Sequence, residues 1–173
     1  MTTETLNYPF FLERTEIEKL LPHRGDIFVC QHLAVEGPHH FRGIARWPLE
    51  NTIIQGHFPG LHVVPGVLLI EAMAQLAGAG LLAGDPYVKS LTGDLVGVLA
   101  SVRKCMFTHP VLPQSDVEFV IQCRQMAPLA VQVSAKVNVN DVGVAQLDIL
   151  MVYTSRQQLV TALNGISSVP ALP

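Results

Sequence analysis

From Gly66 to Gly84 the chain runs through nineteen residues that are all apolar or small except Glu71 and Gln75. Pro65-Gly66 immediately before them is a good helix start, because proline presets a helical φ and lacks an N–H that the first turn could not use. A helix apolar on every side has no face to give to water. Whatever else the chain forms must therefore wrap this segment, which calls for a sheet with one apolar face.

The two polar residues are four apart and so share a helix face. A carboxylate on a helix without a solvated face is desolvated, which favours its protonated form. Glu71 is accordingly a candidate general acid, with Gln75 placed to orient it. The plainer alternative is a buried Glu–Gln pair of purely structural use. Upstream, Gly56-His57-Phe58-Pro59-Gly60 is expected to be a loop in which glycines let the backbone approach a ligand and Phe58-Pro59 stiffens the turn. The first N–H groups of the helix, at Pro65-Gly66-Val67, lack intrahelical acceptors and sit at the positive dipole end. Gly66 leaves its N–H open to a carbonyl oxygen. His57 as base, Glu71 as acid and Gly66 as oxyanion donor are the equipment for taking a proton beside a carbonyl and expelling a β-hydroxyl.

The flanking segments supply the wrapping sheet. Thr15 to Leu21 reads as a short helix with Thr15 as N-cap and Glu18 three residues on, stopped by Pro22. Phe28 to Glu36 reads as a strand, turned by Gly37-Pro38, and Phe41, Gly43, Ala45 and Trp47 share one side of the next. Beyond the central helix, Gly84-Asp85-Pro86 breaks the chain and Leu95 to Lys104 is extended. Val117, Phe119, Ile121 and Cys123 line one side of a strand; Leu129 to Val139 alternates most cleanly of all, and Asn140-Asp141 turns it into Val142 to Tyr153. The pattern is α+β, an antiparallel sheet around a long central helix, with residues 1–154 as one domain and 155–173 as a frayed C-terminal tail.

With 11 basic and 14 acidic residues the net charge is −3, so no global field draws nucleic acid or anionic lipid. The central helix is long enough to span a bilayer and carries a Gly80-x-x-x-Gly84 pair, but its central Glu and Gln and the absence of basic flanks favour burial in protein over a membrane. A composition 49% hydrophobic and only 14% charged is a lean surface for a monomer and points to a second subunit. Cys30, Cys105 and Cys123 are odd in number and far apart, which implies a reducing, cytoplasmic setting; residues 1–14 lack the pattern of a signal peptide.

Gly56-His57-Phe58-Pro59-Gly60, Val64-Pro65-Gly66-Val67 and Glu71-Ala72-Met73-Ala74-Gln75, with Leu21-Pro22-His23-Arg24 upstream, together resemble the β-hydroxyacyl-acyl carrier protein dehydratases of fatty acid synthesis, in the form with a catalytic Glu. The resemblance covers roughly residues 15–153. It implies a hot dog fold, no cofactor or metal, and a site in which His57 of one subunit meets Glu71 of another, in a homodimer or trimer of dimers. The implied substrate is an acyl chain on the phosphopantetheine of an acyl carrier protein, or on coenzyme A, seated in a long apolar tunnel beside the helix. Gly25-Asp26-Ile27 follows the Leu-Pro-His-Arg segment where the family has Tyr-Pro-Phe, and Ile53 and Ile54 replace frequent aromatics. Met106-Phe107-Thr108 replaces a basic run, which leaves Arg103 and Lys104 as the nearest cations for an acidic carrier. Three other readings stay open on the residues alone: a thioesterase or double-bond isomerase on the same fold, a non-catalytic acyl-binding protein, and a metal site built from His57, His62 and Glu71.

Overall fold

The computed structural model describes residues 6–91 and 95–167, with side chains through Asn164. A short strand β1 (Phe10–Glu13) leads into helix α1 (Arg14–Leu20), and a 3-10 turn at Gly25–Ile27 precedes β2 (Cys30–Gly37) and β3 (His40–Ala45). Helix α2 (Thr52–His57) and the long α3 (Gly66–Gly84) follow, then α4 (Pro86–Ser90). Strands β4 (Leu95–Phe107), β5 (Val117–Ala127), β6 (Ala130–Val139) and β7 (Val142–Ser155) complete the sheet, and α5 (Arg156–Ser167) continues directly from β7.

The seven strands form one antiparallel sheet in the order β1-β2-β3-β5-β6-β7-β4. The alternation read from the sequence sets its two faces: Phe119 and Ile121 of β5, Val131, Val133 and Val137 of β6, and Ile149 of β7 are buried beneath it. Trp47 is buried just beyond the end of β3. Asn140 and Asp141 both take positive φ, 48° and 64°, as the tight β6–β7 hairpin requires.

Inside the curve of this sheet lies α3, packed against β2, β3 and β5. By length and composition it could cross a membrane, but most of it is buried within its own chain. Its glycines are contact points for the sheet. A Cβ at Gly80 would lie 2.6 Å from the Phe41 ring, and one at Gly84 would meet Val35. The Tyr8 hydroxyl donates to the carbonyl of Gly84 at the helix end.

Several expectations are corrected. The first helix is capped from Glu13, whose N–H donates to the Glu16 carboxylate at 2.8 Å, rather than from Thr15. Of the loop expected at residues 56–60, Gly56 and His57 instead end α2, and Phe58 to Gly60 turn beyond it. Asp85 does more than break the chain: it is buried and caps α4 by accepting from the Tyr87 N–H at 2.8 Å. The expected tail is helical through Ser167, where Ser155 and Gln158 exchange capping hydrogen bonds, and residues 168–173 lie outside the described part.

Candidate active site

The carboxylate of Glu71 is held from its own helix. Gln75, one turn on and buried, donates from Nε2 to Glu71 Oε1 at 2.8 Å and to the Ile27 carbonyl at 2.9 Å. Both amide hydrogens are thereby used. The thiol of Cys30, buried in β2, donates to Gln75 Oε1 at 3.7 Å. Burial pushes that thiol up to about 12, so it stays a donor and fixes which end of the amide faces the acid. His23, after α1, places Nε2 3.6 Å from Glu71 Oε1, and its buried Nδ1 has no hydrogen-bond partner among the described residues.

The desolvation expected of Glu71 is not found in the single chain: its side chain keeps 34% exposure. The sheet covers α3 on the side of Leu69, Met73 and Leu76 but leaves an opening beside Glu71. That opening is a cavity of about 120 Å³ lined by Leu20 to His23, by Glu71, Ala74, Gln75, Gly78 and Leu82 of α3, and by residues of β4 and β7. It is a short pit where a long tunnel was expected, and neither Ile53 nor Ile54 lines it.

His57 ends α2, exposed, with its ring 4.1 Å from that of Phe58. The departure at Gly25-Asp26-Ile27 has a structural counterpart here. Asp26 Oδ2 accepts from the Thr52 N–H at 3.1 Å and hydroxyl at 2.7 Å, and Asn51 donates to the Asp26 carbonyl at 2.8 Å. The Thr52 hydroxyl hydrogen bond, with that of its N–H, holds the Asp26 carboxyl below its ordinary range. The turn that touches Gln75 through Ile27 thus also anchors the helix carrying His57.

Gly66 opens α3 behind the buried Pro65, with Val67 68% exposed beside it. Gly66 and Val67 line a second groove with Phe107 to Val111, and the Phe107 ring fills the space a Cβ at Gly66 would need, 2.9 Å away. The Glu71 cavity includes neither His57 nor Gly66. Of the two cations expected to meet a carrier, Arg103 lies 4.0 Å from Asp148, and Lys104 lines a groove on the outer sheet face with Lys136 and His40. Thr108 and His109, where the basic run was missing, turn onto the carbonyl of Gly143 at 3.0 and 3.2 Å. Among the described residues no group of three or more His, Cys, Asp or Glu is arranged to hold a metal ion.

A family profile for the FabA-like domain matches residues 39–148. The 3-hydroxyacyl-[acyl-carrier-protein] dehydratase FabZ of Syntrophotalea carbinolica is 31% identical over 150 residues, spanning 85% of this chain and 98% of that protein. The FabZ of Caldanaerobacter subterraneus is 32% identical over 143 residues, 81% and 98% of the two chains. Among solved structures, the dehydratase heterocomplex ApeI:P from Xenorhabdus doucetiae superimposes with a TM-score of 0.68 at 13% identity, over 86% of this chain and 97% of the other. A hot-dog-like protein from Thermanaerovibrio acidaminovorans gives 0.60 at 17% identity, over 90% and 99%. The fold is that of the hot dog proteins.

Proposed function

The chain belongs to the FabA-like family that includes the 3-hydroxyacyl-[acyl-carrier-protein] dehydratases, and on that premise we propose that it removes water from a (3R)-3-hydroxyacyl thioester on an acyl carrier protein to give the trans-2-enoyl thioester. The observation that carries this reading is the carboxylate of Glu71, fixed by a buried amide at the opening of a cavity beside the central helix. A buried or binding-only residue has no use for an acid so oriented and still reachable.

His57 takes the proton from C2, and the electron pair of that bond becomes the new double bond as the C3–O bond breaks. Glu71 gives its proton to the departing hydroxyl, which leaves as water. The Gly66 N–H donates to the thioester oxygen while charge gathers there. A proton then returns from His57 to Glu71 through solvent. Gln75 positions the acid and does not itself exchange a proton.

The site is completed by a second copy. β4 is an edge strand of 13 residues on which Leu99, Val102, Met106 and Phe107 are exposed, and an uncovered apolar edge of that length is a template for pairing. A partner seated there covers the apolar side chains, removes water from around Glu71, and joins the His57 of one subunit to the Glu71 of the other. The assembly is a homodimer or a trimer of such dimers. Arg103 and Lys104, beside this edge, are the cations available to an acidic carrier. The three free cysteines, two of them buried, suit the reducing cytoplasm.

The test follows enoyl thioester formation from a 3-hydroxyacyl thioester. The wild-type protein forms it without releasing thiol, and His57→Ala and Glu71→Gln each lower kcat by ~10²–10⁴-fold. Release of free thiol instead would make the chain a thioesterase, and near-wild-type rates in either variant would remove that residue from the mechanism.

A further inference from the structure

The cavity beside Glu71 has two facing walls. Along α3 its wall is the stripe Glu71, Ala74, Gly78, Leu82, residues three and four apart on one face. Opposite stand Leu95, Val96, Gly97 and Leu99 of β4. Between the two walls reaches Met151 of β7. Its Cε lies 3.9 Å from where a Cβ would stand on Gly78 and 3.0 Å from where one would stand on Gly97. The thioether, together with Leu21 Cδ2 at 3.7 Å from the same point on Gly78, fills the gap between helix and edge strand where both walls lack a side chain. Tyr153, buried on the same face of β7 and paired with Gly97 across the ladder, backs it.

We propose that Met151 is the chain-length stop of the site and restricts it to short 3-hydroxyacyl thioesters, a reading that rests on the dehydratase function above. By volume alone, against the ~150 Å³ that holds the six carbons of benzene, the 120 Å³ here takes about five carbons beyond C3, roughly an eight-carbon acyl chain in all. A longer chain has to displace Met151 from between Gly78 and Gly97. Methionine is unbranched and flexible, so the stop is set by volume and yields to truncation.

The test measures kcat/KM for water loss across 3-hydroxyacyl thioesters graded in chain length, with wild type, Met151→Ala and Met151→Leu, each checked for folding by thermal melting. The wild-type protein prefers chains of eight carbons or fewer. Met151→Ala raises the ratio of long-chain to short-chain kcat/KM by about tenfold or more, at least the discrimination one methylene gives in an apolar pocket, while Met151→Leu keeps the wild-type profile. A wild-type profile that is flat or favours long chains, or an unchanged ratio in a folded Met151→Ala protein, overturns the proposal. Absence of water loss at every length would instead defeat the dehydratase reading, and calorimetric binding of the same thioesters to wild type and Met151→Ala would then decide the length limit separately.

Discussion

The Nε2 of Gln75 lies 2.8 Å from Oε1 of Glu71, and the same nitrogen donates to the Ile27 carbonyl. One buried amide therefore ties the acid to the turn that also anchors α2. Replacing it by Gln75→Leu leaves Glu71 free to rotate and the Ile27 carbonyl without its donor. Glu71 becomes a carboxylate as it gives up its proton, and a hydrogen bond to a charged group is worth about 1.5–3 kcal/mol, so kcat is expected to fall roughly 10- to 100-fold, with KM nearly unchanged. Steady-state kinetics on the wild type and variant check this; a loss confined to KM would assign Gln75 to substrate binding instead.

If each site takes its base from one subunit and its acid from the other, two inactive variants complement each other. Mixing His57→Ala with Glu71→Gln subunits after dissociation and reassociation gives mixed dimers in half of the population, each with one intact site and one doubly defective. Activity then returns to about one quarter of wild type, as two-fold symmetry dictates. Activity that stays at the level of the separate variants would place both residues of a site in one chain.

The sequence is most legible where one periodicity dominates. The all-round apolar run of α3 and the strict alternation of β5 and β6 have their buried faces where expected. Elements held by distant partners are not legible locally. Thr52–His57 contains a Thr-Ile-Ile run and a glycine, poor helix material, and is helical because Asn51 and Asp26 cap it, the latter from 26 residues away. β1 is four residues long and exists through its pairing with β2. The exposure of Glu71 was illegible for a related reason: hydropathy shows that a helix must be covered, not where its own sheet leaves a gap.

Gly80 sets how closely α3 lies under β3. A Cβ there would stand 2.6 Å from the Phe41 ring, which is itself buried, so neither side can retreat without repacking. Gly80→Ala is expected to destabilise the protein by about 1–3 kcal/mol by overpacking, even though alanine favours the helix, and to lower Tm by about 2–12 °C. Thermal melting measures the loss, and Phe41→Leu in the Gly80→Ala background should recover part of it. A Gly80→Ala protein as stable as wild type would mean that the contact between helix and sheet is looser than 2.6 Å implies.

The cysteines give a pH dependence of definite sign. Burial raises the thiols of Cys30 and Cys123 from 9.0 to about 12, while Cys105 is only partly covered. A group whose pKa is raised in the folded state contributes stability that is complete below its unfolded pKa and is lost as pH climbs through the folded one. Stability against denaturant should therefore hold up to about pH 9 and decline towards pH 12, less steeply in a Cys123→Ala protein. In the native protein at mildly alkaline pH, a thiol-specific reagent should modify Cys105 first, with Cys30 and Cys123 reacting only on unfolding. Rapid native labelling of Cys30 would mean that Gln75 is not held as seen, because a thiolate cannot donate to its Oε1.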